Sequence, residues 1–437
     1  MRWNRGCGWR VGAGLVVVAA AACGGDGIVA PVIERLPRPL TVAEQSIIRS
    51  TNAFGFALLG RVRREESGPN VFLSPLSAGM ALGMTMNGAA GATLVALREG
   101  VHFGDLTETG VNESFRGLMD VLLGLDPRVS LRMGNSIWSR QGIPFEASFN
   151  EAARSYFDAE VQELDFGDPG AIDVINGWAR EATAGRIERV LEEIDPQHIM
   201  FLLNAIWFKG QWTQQFDPDD TRPAPFTRAD GSTVSVPMMQ LSEGVVRHTW
   251  RPEYQAVELS YGGRAWSMVI VLPGDGRTLD DLVGDLDEQA WNELVAGLDS
   301  TTVDVRMPRF RLQYGKLLNR PLQDMGMTIA FSRSADFTRL TPLAREQAVC
   351  IHYVKQSTFV EVNEEGSEAA AVTTVAIGTR SATLPFSADR PFLFAIRERL
   401  SGVVLFIGTI GDPTVEQPGP PEPAGPICPP LDSFGTS

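Results

Sequence analysis

Histidine and cysteine are scarce in this chain of 437 residues, which has four of each. Neither a Cys-x-x-Cys nor a His-Glu-x-x-His spacing occurs, so a zinc site or a Cys/His catalytic centre has few side chains from which to be built. A Gly-x-Ser-x-Gly motif, the nucleophile turn of many serine hydrolases, is also absent. We therefore expect a protein that is not an enzyme and that uses no metal or cofactor.

Positive charge and long apolar runs are also in short supply. The 38 Lys and Arg residues are outnumbered by 53 Asp and Glu residues, which gives a formal net charge of −15. Phosphate binding needs a basic surface, so nucleic acid is not expected as a partner. The one long apolar run, Val11 to Ala22, is shorter than the ~20 residues that a membrane-spanning helix needs.

The N-terminus has the organisation of a secretory signal peptide. Arg2, Arg5 and Arg10 precede the apolar run, whose length suits a signal sequence. The run ends in three alanines before Cys23 and so resembles the lipobox of bacterial lipoproteins, in which this cysteine is acylated. An ordinary secretory signal remains the alternative, because alanine stands three positions before Cys23 where leucine is usual. We expect a secreted protein, lipid-anchored through Cys23 in a bacterial cell envelope, at the outer membrane or cell surface.

Composition and turn signals divide the chain into four parts. We predict a signal peptide at 1–22, a lipid-anchored tether at 23–41, a single domain at 42–413 and a proline-rich tail at 414–437. No internal repeat or low-complexity break interrupts the domain.

Helical and strand patterns alternate irregularly within the domain. A capping-box pattern, Thr41-x-x-Glu44, opens one helical pattern, and residues 176–191 have helical spacing as well. The apolar run at 201–207 is typical of a strand covered on both faces. Two apolar runs within 391–408, separated by a short turn, predict a hairpin. The sequence thus predicts an α+β fold with large, mostly antiparallel sheets.

A long connection follows the strand pattern that ends at Gly366. The next strand pattern starts at Pro391, and connections of more than ~12–15 residues are usually functional or disordered. This one carries Ala, Val, Thr and Ile rather than the charge and proline typical of disorder. Alternate positions from Ser367 to Ile377 are small or apolar while Glu368 lies on the other parity, so the segment can become a strand with one buried face. An ordinary Ala-rich loop or edge strand is the plainer interpretation.

Four motifs resemble the serpin family, in the family's order. They are Asn70-Val-Phe-Leu-Ser-Pro-Leu-Ser77, Asn204-Ala-Ile-Trp-Phe-Lys-Gly-Gln-Trp212, Glu361-Val-Asn-Glu-Glu-Gly-Ser-Glu-Ala-Ala-Ala371 and Arg390-Pro-Phe-Leu-Phe394. The resemblance runs from about residue 42 to 413. It implies three mostly antiparallel β-sheets, eight or nine helices and an exposed reactive-centre loop, which is the connection after Gly366.

Serpins inhibit serine proteases by a suicide mechanism, and the resemblance implies the same here. The protease cleaves the loop, forms a covalent acyl-enzyme complex and is carried away as the loop inserts into the main sheet. Family spacing places the reactive bond between Arg380 and Ser381, fourteen positions after Gly366, and an arginine implies a trypsin-like target. Cleavage at Thr379 or Ile377 remains open, as does a non-inhibitory serpin that binds or carries a ligand.

The resemblance also assigns supporting residues. The hinge, where insertion starts, comprises Glu364, Gly366, Ser367, Glu368, Ala369, Ala370, Ala371, Val372 and Thr373. The region where the main sheet must open comprises Ser74, Ser77, Asn204, Trp212 and Gln356, the last in place of the family's usual histidine. The segment before Ser130 is not rich in Lys or Arg, so we expect no heparin-type cofactor site.

Two pairings stay open at this point. Glu364 either forms an ion pair with Arg309 or the two are separate surface charges. Cys350 and Cys428 either form a disulfide, as an oxidising envelope would favour, or remain unpaired thiols.

Overall fold

Helices and strands follow one another in mixed order, as the sequence patterns predict. The computed structural model describes residues 31–195, 198–352, 354–367 and 383–416. The helices in these residues are α1 (Val42–Glu65), α2 (Pro75–Met86), α3 (Gly91–Gly100), α4 (Glu108–Leu122), α5 (Ala147–Phe157), α6 (Ala171–Ala182), α7 (Leu279–Asp285), α8 (Glu288–Ala296) and α9 (Asn319–Leu322).

Fifteen strands lie in the same described ranges. They are β1 (Val71–Leu73), β2 (Val129–Arg140), β3 (Ala159–Leu164), β4 (Met200–Gln211), β5 (Arg222–Thr227), β6 (Thr233–Arg251), β7 (Tyr254–Tyr261), β8 (Trp266–Pro273), β9 (Asp299–Pro308), β10 (Phe310–Leu317), β11 (Lys355–Asn363), β12 (Gly366–Ser367), β13 (Leu384–Ser387), β14 (Phe392–Glu398) and β15 (Val404–Ile410). The prediction of an α+β fold with eight or nine helices is confirmed.

The larger sheet has nine strands, in the order β1-β15-β14-β8-β7-β6-β9-β13, with β5 also paired to β6. Its pairs are antiparallel except for β13 with β9. The long strand β6 continues through an irregularity between Leu241 and Gly244 and pairs with both β7 and β9. Three sheets are expected from the resemblance. Because β6 pairs on both sides, two of them are joined here into one continuous nine-stranded sheet.

The second sheet has six strands, in the order β10-β11-β12-β4-β2-β3. Apolar side chains cover both of its faces. On one face Trp138, Phe201 and Trp207 pack with Ile175 and Ala179 of α6, and the opposite face joins the main core of the protein. Burial on both faces explains the nearly continuous apolar run of β4.

The helix predicted at 176–191 is too long, because α6 ends at Ala182. Ala184 and Gly185 take φ values of 51° and 83°, so the chain leaves the right-handed helical region there. The Asn176 amide then binds the returning segment, accepting from the backbone N–H groups of residues 190 and 191 and donating to the carbonyl of residue 191. The Asn176 side chain, which lies within α6, thus binds the backbone of the segment that follows the helix.

The capping box predicted at the start of α1 is present. Thr41 Oγ1 accepts from the Glu44 N–H at 3.1 Å, and the Glu44 carboxylate accepts from the Thr41 N–H at 2.7 Å. Two helix-terminal donors are therefore satisfied reciprocally, which fixes the start of the helix.

Candidate functional site: the seam of the six-stranded sheet

The six-stranded sheet contains a partly closed seam between β4 and β11. The two strands pair directly at only two positions, where Ser357 lies opposite Ala205 and Thr358 opposite Ile206. Towards the other end they diverge, and the two residues of β12 lie between them, antiparallel to both. The seam therefore already accommodates a strand at one end and is closed by parallel pairing further down.

The strand that fills this end of the seam is the beginning of the predicted hinge. Gly366 lies opposite Gln211, with a φ of 152°, and a Cβ built on it would come within 2.0 Å of the Gly210 carbonyl oxygen. Only glycine fits so close an approach. Ser367 is fully buried, and its Oγ lies 2.8 Å from the hydroxyl of Tyr261.

Trp212 lies beside β12, at the end of the seam that this strand fills. Its indole N–H donates to the Asn363 carbonyl at 2.9 Å, and its backbone N–H donates to the Glu365 carbonyl at 2.8 Å. Its ring stacks on that of Tyr261, with a centroid distance of 4.3 Å and an interplanar angle of 10°. The two aromatic rings form a buried wall beside β12.

Glu364, two positions before Gly366, forms the ion pair that the sequence left open. Arg309 Nη2 lies 2.5 Å from its carboxylate, and the Thr221 hydroxyl donates to the same carboxylate at 2.6 Å. Burial alone would raise the pKa of Glu364, but the bonds from Arg309 and Thr221 outweigh it and hold that pKa below its ordinary value. The carboxylate is therefore charged at neutral pH and ties the hinge to two neighbouring segments.

Four of the five residues predicted for sheet opening are connected by hydrogen bonds, namely Ser74, Ser77, Asn204 and Gln356. The Gln356 amide makes two hydrogen bonds of 2.9 Å with the backbone of Ser74, one to its N–H and one to its carbonyl. The Ser77 hydroxyl donates to the Asn204 side-chain oxygen, and Asn204 donates in turn to Asn135. This network links α2 to β11 on one side of the seam and to β4 and β2 on the other.

Two histidines are in contact at the end of the seam opposite β12, where β4 and β11 begin. His198, just before β4, and His352, just before β11, have ring centroids 4.8 Å apart in an edge-on arrangement. Burial lowers the pKa of both imidazoles, that of His352 to about 4. The pair is therefore neutral at pH 7, and both rings line an apolar cavity beneath the sheet.

Several predicted residues lie outside the described residues. They are the reactive bond Arg380–Ser381, the rest of the hinge from Glu368 to Thr373, the lipidation site Cys23 and the tail cysteine Cys428. Cys350 is buried and disulfide-bonded, but because Cys428 is outside the described ranges, their pairing stays a prediction.

Sequence reasoning missed Tyr261 and the two histidines of the seam. Tyr261 is 106 positions away from Ser367, and its neighbours form an ordinary strand pattern. His198 and His352 stand outside the motifs that carry the resemblance. Their roles depend on which strands meet in space, and no local signal marks them.

The chain is a member of the serpin family. The family model for serpins, described as serine protease inhibitors, matches residues 49–413. Iripin-2 of Ixodes ricinus is 32% identical over 379 residues, which cover 84% of this chain and 94% of that protein.

Solved structures agree with this assignment. The native state of the thermophilic serpin tengpin superimposes with a TM-score of 0.78 and 27% identity, covering 88% of this chain and 97% of that one. Human thyroxine-binding globulin complexed with thyroxine gives a TM-score of 0.78 with 26% identity, covering 85% of this chain and all of that one. The fold is thus shared by a thermophilic serpin and by a globulin that binds thyroxine.

Two further features concern the described ranges, 31–195, 198–352, 354–367 and 383–416. Within them, no helix has the length and apolar character needed to cross a bilayer. Those ranges also contain no cluster of three or more His, Cys, Asp or Glu side chains arranged to hold a metal ion.

Proposed function

We propose that this serpin is a suicide inhibitor of trypsin-like serine proteases and not an enzyme. The observation that carries the proposal is β12, because Gly366 and Ser367 already pair with β4 and β11 in the register that a longer inserted strand would continue. The residues that follow are uncharged on the inward parity as far as Ile377. Each further residue can add backbone hydrogen bonds, worth about 1 kcal/mol each.

The proposed reaction begins at the bond between Arg380 and Ser381. The protease serine attacks the Arg380 carbonyl carbon, its proton passes to the leaving amine of Ser381, and an ester to Arg380 remains. The freed loop then extends β12 beyond Ser367 and along the seam. To make room for it, β4 and β11 must separate where they pair directly, at Ala205 with Ser357 and Ile206 with Thr358. Water would normally hydrolyse the ester, and the insertion must carry the protease away before it does.

The same proposal includes a lipid anchor. Acylation of Cys23 would place the inhibitor at the envelope surface, with an acidic body that has no electrostatic attraction of its own for anionic lipid. Cys23→Ser is expected to move the protein from the membrane fraction to the soluble fraction. Unchanged fractionation of this variant would contradict the anchor without affecting the inhibitor assignment.

Mixing the purified protein with trypsin tests the inhibitory function. We expect a covalent complex that survives denaturing electrophoresis. Arg380→Ala should abolish it, and Arg380→Lys, which keeps a cation that the trypsin pocket accepts, should retain it. Unchanged complex formation by Arg380→Ala would move the reactive bond elsewhere.

The second candidate is a non-inhibitory serpin that binds or carries a ligand. It is favoured by the similarity to thyroxine-binding globulin, which is solved with thyroxine bound. If trypsin cleaves the loop and is released fully active, with no covalent complex at any protease ratio, the carrier function replaces the inhibitory one.

A further inference from the structure

The chain just before α1 is bound to the same part of the molecule that holds the hinge. Residues 31–38, which we call the strap, touch the body at two points. The Ile33 N–H donates to the Gly263 carbonyl at 2.8 Å, and the Arg38 guanidinium binds the Glu44 carboxylate and the Gly117 carbonyl. Residues 31–38 belong to the predicted tether, so the described part of that tether is held on the domain.

The fit between strap and body is close at the first point. A Cβ built on Gly263 would lie 2.7 Å from the Pro31 carbonyl oxygen and 3.2 Å from the Ile33 side chain. Ile33 is partly buried against the main core, whereas its neighbour Val32 is 48% exposed. The contact therefore involves the Pro31 carbonyl and the N–H and side chain of Ile33, while the Val32 side chain is exposed.

Gly262 and Gly263, which we call the turn, lie between β7 and β8 and hydrogen-bond to the end of β4 and to the segment directly before β2. The Gly263 N–H donates to the buried carboxylate of Asp126 at 2.7 Å, and Asp126 also accepts from the Arg128 N–H directly before β2. The Gly262 N–H donates to the Gln211 carbonyl at the end of β4 at 2.8 Å. The turn thus holds the adjacent ends of β2 and β4 together.

The turn also leads directly to the hinge. Tyr261 precedes Gly262, forms an isolated bridge with Trp212 and places its hydroxyl 2.8 Å from Ser367. To admit more of the loop, β2 and β4 must move away from β11 as a unit. The contact that must separate lies further along the same strands, at Ala205 and Ile206 of β4. The turn fastens the ends of β2 and β4 beyond that contact, so it restrains movement of the two strands as a unit.

We propose that the strap is a conformational latch: by covering the turn it restrains β2 and β4 and so slows opening of the seam in the intact protein. Loosening the strap should leave the fold intact but let the seam open more often. The strap would exert this restraint in the intact protein, before a protease binds. It can be measured without protease, so its failure is distinguishable from a failure of the inhibitory function.

Hydrogen exchange of the full chain, followed by mass spectrometry, tests the latch. Ile33→Pro removes the N–H that binds Gly263, and we expect exchange of segments 205–211 and 357–367 to rise about two- to tenfold, as loss of one hydrogen bond predicts. Ile33→Ala, which keeps the N–H and loses only packing, should give a smaller rise. Val32→Ala, one position away on the exposed side, is the matched control and should match the wild type.

A variant on the other side of the contact makes the test independent of the strap sequence. Gly263→Ala places a methyl group against the Pro31 carbonyl and should raise exchange in the same two segments. A circular-dichroism spectrum matching that of the wild type confirms that each variant is folded. If exchange rises only at residues 260–264, or stays unchanged in both Ile33→Pro and Gly263→Ala, the strap does not control the seam and the proposal is overturned.

Discussion

The side-chain amide of Gln356 pairs with the backbone of Ser74 as a neighbouring strand would. Its oxygen accepts from the Ser74 N–H and its nitrogen donates to the Ser74 carbonyl, each at 2.9 Å. An amide offers this donor and acceptor side by side whatever the pH, since it does not titrate between pH 4 and 9. In this chain the link between α2 and β11 is therefore independent of protonation, although the family's usual histidine would titrate there.

Replacing Gln356 should cost stability because both backbone groups of Ser74 are buried. Gln356→Met keeps the length of the side chain but leaves the Ser74 N–H without its partner and the Ser74 carbonyl with only the Ala78 N–H, so we expect a loss of about 1–3 kcal/mol in the free energy of unfolding. Gln356→Glu should be worse at pH 7.5, because a carboxylate faces the Ser74 carbonyl, and should recover at pH 5 as it takes up a proton. Denaturation in urea at the two pH values measures both effects; equal losses at both would contradict the paired geometry.

The ion pair between Arg309 and Glu364 should stabilise the hinge only while the carboxylate is charged. The folded pKa of Glu364 lies below its ordinary value of 4.5, so the contribution is present above pH 4.5 and is lost as the pH falls through the folded pKa. Because Arg309 is half exposed, Arg309→Gln should cost no more than about 1 kcal/mol. The difference in melting temperature between wild type and variant should shrink below pH 4.5.

A control for this pair is available next to Thr221. Arg222 is exposed and donates to the Thr221 carbonyl, so Arg222→Gln removes a nearby positive charge without touching Glu364. It should leave the melting temperature unchanged at every pH. An equal effect of both variants would assign the stabilisation to general charge and not to the pair.

The contact between His198 and His352 predicts that acid destabilises the seam. Both pKa values are lowered, that of His352 from 6.5 to about 4, so between these values the unfolded chain binds more protons and stability falls as the pH falls. Asp195 and Glu193 on the first segment oppose the shift of His198, and Lys355 also lines the cavity. His352→Phe should flatten the decrease in melting temperature between pH 6.5 and 4.

The exposed His102 provides the comparison for this experiment. His102 has a positive φ of 59°, which asparagine tolerates, so His102→Asn removes an imidazole without strain. Its pH profile should follow that of the wild type. If His352→Phe retains the full acid sensitivity, protonation of the seam histidines is not its cause.

The parts of this fold that the sequence predicts are those with a local physical cause. The capping side chains of Thr41 and Glu44 act within one turn, and the apolar run of β4 reports burial on both faces of its sheet. The early end of α6 and the position of Tyr261 depend on segments far away in the chain. The alternation of side chains along a strand predicts that Ser367 faces inward, and it is buried. Its place in the sheet before cleavage depends on how far apart β4 and β11 lie at that point, which no local sequence pattern indicates.

The burial of Ser367 allows a direct test of the parity argument. Ser367→Arg would place a guanidinium against the buried hydroxyl of Tyr261, and Ala371→Pro would remove an N–H from the strand that must form. Both leave the reactive bond untouched, so we expect cleavage by trypsin at the wild-type rate without a covalent complex. Glu368→Gln, on the outward parity, should still trap protease.

Insertion itself can be followed as the gain in melting temperature of loop-cleaved over intact protein. The wild type should gain stability after cleavage because the freed loop extends β12 along the seam, whereas Ser367→Arg should gain little. The charge matters here and not the size alone, so Ser367→Met, which is bulky but uncharged, should retain part of the gain. Wild-type trapping by Ser367→Arg would mean that the odd-numbered hinge residues do not face the core, and the lack of charge from Ser367 to Ile377 would need another cause.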